Sequence, residues 1–580
     1  HLNEVLSLVE NEKIGGIILF AGEAGQQLQW VNKYQQASPE IPLLVAMDAE
    51  NGAGFRLKDQ TVVFPEALTL GAIQNNALIY EMGTQVAAQL RRIGVHINFA
   101  PVLDINNNAS NPVINTRSYG EDRYNVTSKS MMYLKGMQDN GVMACAKHFP
   151  GHGDTNVDSH LDLPVIPHDR RRLDSLELYP YATLIRGGLL QSVMVAHLHV
   201  PVLDNRSKRP TSLSRNTIRN LLVDSLGFEG LVMTDAMEMK GVAKHFPPGI
   251  ADAEALAAGN DILLIPGNVR EAINAVKAYL ASGKISAEEL EAKVKKVLSA
   301  KFHLGLHHSQ SLSEEGLLQD LKPAKALALQ EKLYAEALTL VRNDGQLLPL
   351  SEAGNLKAAS LAIGTNRQNL FQDRLEHYRN IDHYQLEQEL SEAGQQEWLK
   401  KFADKELVLV SLHGLNKSPK QNFGIKASHL SLLGKLNKQT RVVLVVFGYP
   451  YSLRNFDDFG QVVMAYEDNA ITQDLSAQAI FGARTFRGRL PITASAKSHF
   501  NAGLMTRSTP KLGYSLPENV GLYSDSLQNI DRIAMEAIEA KATPGCVVLV
   551  AKNGKIVYEK AFGHQTYARQ TPIHAESVYD

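Results

Sequence analysis

The sequence predicts an α/β chain whose first half is a (β/α)8 barrel, with a second α/β layer behind it. Three observations carry this. Apolar runs alternate with helix-period stretches seven times over the first ~300 residues, the size of a barrel. Polar residues close five of those runs. One loop, Ala144 to Pro164 (ACAKHFPGHGDTNVDSHLDLP), collects seven Lys, His and Asp side chains in a Gly-broken segment that follows an apolar strand.

The runs, in order, are Gly15–Phe20, Ile41–Asp48, Val95–Asp104, Val142–His148, Ser192–Val200, Gly230–Asp235 and Asp261–Pro266. Their length and β-branched content suit buried strands. Helical stretches such as Leu78–Ile93 and Ser175–Gly188 separate them, which implies parallel strands with right-handed crossovers. Residues 2–13 read as a helix, so the first barrel strand is expected before His1. The chain opens without an initiator Met and stops in mid-pattern, and it reads as a fragment at both ends. The domains expected are a barrel over 1–310, a linker and helix over 311–334, a second α/β domain over 335–518 and a short module over 519–580. The strands expected in the second domain are Ala335–Arg342, Leu356–Gly364, Glu406–Gly414, Arg441–Gly448 and Gln461–Tyr466. In the module, a helix over Ser526–Ala540 leads to two strands joined by Asn553-Gly554, a strong hairpin signal.

Composition narrows the function classes. Hydrophobic residues make up 44%, too many for a disordered chain. A net charge of −2 without a long basic run argues against nucleic acid or an anionic membrane as partner. No apolar stretch reaches the ~18 residues of a membrane span. The two cysteines, Cys145 and Cys546, exclude a disulfide framework and a Cys-based zinc site.

The carboxyl ends of barrel strands converge on one face, and there the sequence places Asp48, Asp104, Lys147, His148, His197, His199 and Asp235. A carboxylate such as Asp235 can attack an electrophilic carbon; as an alternative it caps the helix that follows. In Asp158-Ser159-His160 the carboxylate can orient the imidazole, which is then free to give and take a proton. Alone, such a pair is also common on surfaces. Lys147 and His148 are adjacent, so a regular strand would send them to opposite faces; an irregular or cis peptide around Lys147–Phe149 is expected. Both would donate to hydroxyls, with Arg117 as a forked third donor. His197 and His199 also raise a metal hydrolase, but Asp235 is the only obvious further ligand.

Together these residues resemble family 3 glycoside hydrolases, and most closely their β-N-acetylglucosaminidase branch. KHFPGHGDTNVDSH is the most specific element; TDAMEM, MDAENG and FAPVLD support it, and the match runs from about Ile14 to about Ser498. The resemblance implies a barrel followed by an α/β sandwich. It implies Asp235 as nucleophile, His160 oriented by Asp158 as acid/base, and Asp48, Arg117, Lys147 and His148 as sugar ligands. It calls for no metal and no cofactor. The activity implied is retaining exo-hydrolysis of terminal β-linked GlcNAc, from peptidoglycan fragments, in a periplasmic or secreted setting. A β-glucosidase or β-xylosidase of the same family and a non-catalytic sugar-binding protein are the alternatives. MDAENGAG at 47–54 departs from the Glu-Gly-Gly of many relatives. The tail beyond ~519 resembles the start of a serine β-lactamase-like domain, whose Ser-x-x-Lys motif would lie past Asp580.

Overall fold

The computed structural model describes residues 2–57, 59–155, 162–308, 311–350 and 356–578. They divide into two units: residues 1–322, 417–421 and 490–501 form one, and 323–416, 422–489 and 502–580 the other.

The first unit is built on seven parallel strands in sequential order: β1 Gly16–Leu19, β2 Leu44–Met47, β3 Ile97–Asn98, β4 Met143–Phe149, β5 Ser192–Val195, β6 Leu231–Ala236 and β7 Ile262–Leu264. All seven expected runs are strands. The third is far shorter than expected, because Pro101 has no N–H to give the ladder. Pairing resumes past the proline, where Lys147 N donates to Pro101 O and Leu103 N to Lys147 O. The helix expected over Ser175–Gly188 is two helices, Arg170–Ser175 and Tyr179–Arg186, with Pro180 starting the second. Helices Ala77–Arg92 and Arg123–Gln138 cross closely at Gly83 and Gly136. A Cβ on Gly83 would sit 2.5 Å from Tyr133 O, so no larger residue fits there.

The alternation of the strands positions the chemistry. Leu44 and Ala46, Met143 and Cys145, and Leu231 and Met233 share one apolar cluster. Successive side chains on a strand face opposite ways, so two residues further on the same parity brings Asp48, Lys147 and Asp235. Burial pushes the Cys145 thiol up to about 12, in keeping with a small buried hydrophobe.

Two later stretches of chain belong to this unit. Lys417 Nζ reaches Glu66 Oε1 at 2.6 Å and Thr116 Oγ1 at 2.8 Å. Thr493 donates to the Glu121 carboxylate through its N–H at 2.8 Å and its hydroxyl at 2.7 Å.

The second unit holds a mixed six-stranded sheet: β8 Thr339–Asn343, β9 Ala358–Ile363, β10 Asp382–Leu386, β11 Leu407–Leu412, β12 Arg441–Val446 and β13 Gln461–Met464, in the order β10-β9-β11-β12-β13-β8. Only β8 is antiparallel. Residues 335–337, expected as strand, end the helix Ala324–Ala337 instead. A third sheet, β14 Gly513–Tyr514, β15 Gly545–Lys552 and β16 Lys555–Gly563, has the order β14-β16-β15. Asn553 and Gly554 both have positive φ, 51° and 71°, as a type I′ hairpin turn requires. The helix Asn529–Glu539 buries Ala534 and Ile538 against Phe562 of this hairpin. A hairpin alone is marginal in water; the helix and β14 supply the missing burial and pairing.

Candidate active site

Lys147 is 2% exposed and stands at the end of β4. Its ammonium donates to Asp48 Oδ1 at 2.7 Å and to Glu50 Oε1 at 2.8 Å. Burial disfavours the ammonium, but Asp48 and Glu50 outweigh it and hold the Lys147 pKa above its ordinary value. Asp48 is shared with Arg56, at 3.0 Å from Oδ2. Arg117, on the short turn Asn115–Arg117, grips Glu50 through Nη2 at 2.7 Å and Nε at 3.0 Å. Glu50 was not among the residues singled out from the sequence. It lies inside the MDAENG motif, three residues past the end of β2. Burial opposes its ionisation, yet Arg117 and Lys147 prevail and hold the carboxyl well below the usual range.

His148 joins the same group. Its Nδ1 lies 2.7 Å from Asp104 Oδ2, and its Nε2 lies 3.4 Å from Arg117 Nη2. Asp104 is a second residue the sequence reading left without a role; it also accepts the His152 N–H at 2.7 Å. The Lys147–His148 and Phe149–Pro150 peptides are both cis, as expected for this stretch. Neighbours in sequence thus both meet site carboxylates, Lys147 at Asp48 and Glu50, and His148 at Asp104.

Asp235 is the fifth residue of β6. Its Oδ1 accepts the Ala236 N–H at 2.8 Å. Burial raises its pKa, but His148, His197, the Ala236 N–H and Lys147 together outweigh that and hold it below the ordinary carboxylate value. Asp235 is therefore an anion held among cations and dipoles at neutral pH. His197 does not make the start of a metal centre. Its Nδ1 lies 2.6 Å from Ser212 Oγ and its Nε2 3.0 Å from Ala236 O, so both nitrogens are engaged with protein. Among the described residues no group of three His, Cys, Asp or Glu could hold a metal.

Asp158 and His160 lie outside the described residues. The chain on either side of them is tied down. Before them, His152 Nδ1 meets Thr155 Oγ1 at 2.8 Å, and Asp154 Oδ2 meets His168 Nε2 at 2.8 Å. After them, Asp162 faces Lys244 at 3.4 Å, on the segment that follows Asp235.

The carboxyl end of this parallel sheet thus gathers an ionised carboxylate, Asp235, with the Lys147, Arg117 and His148 donors, the kind of polar strand end on which α/β enzymes place their chemistry. Residues 2–300 match the glycosyl hydrolase family 3 N terminal domain, and the chain belongs to that family. It is 32% identical over 397 residues to beta-hexosaminidase A of Pseudoalteromonas piscicida, covering 63% of this chain and 65% of that protein. It is 30% identical over 346 residues to a protein of Cellulomonas fimi named beta-N-acetylglucosaminidase/beta-glucosidase, covering 58% and 61%. In both cases the match spans less than two thirds of the relative's length. A solved family 3 beta-N-acetylglucosaminidase from Paenibacillus superposes with a TM-score of 0.70 at 29% identity, covering 85% of this chain and 95% of that one.

Proposed function

We propose that this chain is a retaining exo-β-N-acetylglucosaminidase that releases terminal β-linked GlcNAc, with peptidoglycan fragments as its substrates. One observation supports this most: Asp235 is held ionised beside the Lys147–Asp48–Glu50–Arg117–His148 network. The names of the relatives add support. In this reading Asp235 attacks the anomeric carbon while His160, oriented by Asp158, protonates the departing oxygen. A covalent glycosyl-enzyme forms, and water deprotonated by His160 releases the sugar. The scheme is the two-step retaining template with an imidazole in place of the acid carboxylate. Asp48, Arg117, Lys147 and His148 hold the ring hydroxyls. Residues 335–518 form an α/β sandwich domain in this reading, and residues 519–580 begin a serine β-lactamase-like domain.

Trapping with a slow fluorinated GlcNAc donor tests the chemistry. Mass spectrometry should place one sugar on the peptide carrying Asp235; a sugar on another peptide defeats the assignment. His160→Ala should slow substrates with poor leaving groups far more than activated aryl glycosides, and equal losses on both would rule out a proton donor there. The Cellulomonas relative carries two activities in its name, so the ratio of rates on aryl β-GlcNAc and aryl β-glucoside decides the sugar. A rate dominated by glucoside moves the reading to β-glucosidase.

A further inference from the structure

The catalytic scheme gives Glu50 no task, yet no carboxylate of the network has more cationic partners. Its Oε1 accepts from both Lys147 Nζ at 2.8 Å and Arg117 Nη2 at 2.7 Å, and its Oε2 from Arg117 Nε at 3.0 Å. A carboxylate with both oxygens taken by the buried Lys147 and the half-buried Arg117 is poorly placed to bind a sugar hydroxyl itself. Counting donors shows what it leaves behind. An ammonium has three N–H groups and a guanidinium five. Asp48 and Glu50 take two of those on Lys147. On Arg117, Glu50 takes Nε and one Nη2 donor, His148 faces the other Nη2 donor at 3.4 Å, and Val113 O takes one on Nη1 at 3.2 Å. Among the described residues, one donor remains on each cation.

The backbone beside Glu50 is fixed as well. Ala49 N donates to Asn98 Oδ1 at 3.0 Å, and Ala49 O accepts from Asn98 Nδ2 at 3.0 Å and from the Tyr133 hydroxyl at 3.2 Å. The carboxylate is thus carried on a rigid turn, with two like charges drawn to either side of it. We infer that Glu50 is the positioning residue of this site: it sets Lys147 and Arg117 so that the single free N–H of each meets a hydroxyl of the bound sugar. This rests on the hydrolase reading above.

The variant Glu50→Gln keeps the shape and removes the charge. Lys147 then keeps Asp48 as its paired anion, still faces the Arg117 cation, and has Asp235 as a further anion acting on it. On aryl β-GlcNAc, kcat/KM of Glu50→Gln should fall about 100-fold, the scale of a misplaced positioning group. Glu50→Gln should also lose discrimination: the drop in rate from aryl β-GlcNAc to its ring-deoxy analogues should shrink, because the Lys147 and Arg117 donors no longer meet those hydroxyls. Glu50→Asp, which restores charge but not reach, should leave both the rate and that discrimination depressed. Glu50→Gln within about threefold of wild type, or slowed with its discrimination against the deoxy analogues intact, overturns the inference; the second result marks a merely structural carboxylate. Calorimetric binding of GlcNAc to wild type and Glu50→Gln separates the two readings. A wild type that neither binds GlcNAc nor cleaves the aryl glycoside defeats the hydrolase reading and this inference with it. A wild type that does both, beside a Glu50→Gln variant with unchanged affinity and rate, defeats the Glu50 inference alone.

Discussion

Among the described residues the seven-stranded parallel sheet and the mainly parallel six-stranded sheet both end in titratable side chains, but the two ends are built differently. In the second unit, His413 follows β11 and Asn369 follows β9, the pair of strands between which the chain reverses its direction of growth. In open α/β sheets this is a common place for a ligand. There His413 stacks on Phe447, with 4.9 Å between ring centroids. Its Nδ1 meets Asp468 at 3.1 Å, and its Nε2 meets Ser411 at 2.9 Å and Asn369 at 3.0 Å. Gly414 N and Gln473 complete Asp468. Each ring nitrogen is engaged, and the groups satisfy one another. In the first unit the polar ends of the strands are charged, crowded and left with donors to spare. The difference teaches that strand polarity only gathers polar groups; a site also needs groups whose bonding capacity the protein does not use up.

The sharpest break between the two ends is chemical. Asp235→Ala should lower kcat on aryl β-GlcNAc by about 10,000-fold or more, the cost of losing a covalent nucleophile. His413→Ala should leave it within about threefold; a large loss there would give the second sheet a share in the reaction. Next comes Lys147→Met, expected to cost about 100- to 1,000-fold in kcat/KM, since it removes a donor to the sugar and leaves Asp48 and Glu50 with one cation each, Arg56 and Arg117. A loss below about tenfold would take Lys147 out of the substrate-binding set. The acid limb of kcat/KM should lie below the ordinary carboxylate range, because His148, His197 and Lys147 overcome burial and keep Asp235 ionised. An acid limb well above that range would show a protonated Asp235.

The smallest effect is on stability. Burial, aided by His148, pushes His152 down from 6.5 to about 4. The unfolded chain therefore binds a proton that the folded one refuses between those values. His152 stabilises the fold fully above pH 6.5, and that contribution is lost as pH falls toward 4, by up to about 3 kcal/mol. Thermal unfolding of His152→Gln should show a flatter pH dependence than wild type across that window; parallel curves would show that His152 titrates normally.

Much of this was legible in the sequence because hydrophobic runs and parity are local. Every barrel strand was marked by its apolar run, and Asp48, Lys147 and Asp235 follow from counting by two along β2, β4 and β6. The sheet edge β10 was not, since DHYQL carries mostly polar residues and is only partly buried. Glu50 was also missed, and Asp104, though placed at a strand end, had no role assigned. A loop carboxylate in sequence looks the same whether solvent or two cations surround it. What distinguishes Glu50 is Lys147, almost a hundred residues away, and Arg117, 67 away; what distinguishes Asp104 is His148, 44 away.

The barrel unit is not one continuous run of polypeptide. Lys417 holds Glu66 and Thr116, next to Arg117, and Thr493 holds Glu121. A gene cut at residue 322 would therefore yield an incomplete product, missing a brace beside the turn that carries Arg117. Anyone wanting the barrel unit in isolation would need to graft those two returning strips back on, or express the halves together and let them reassemble.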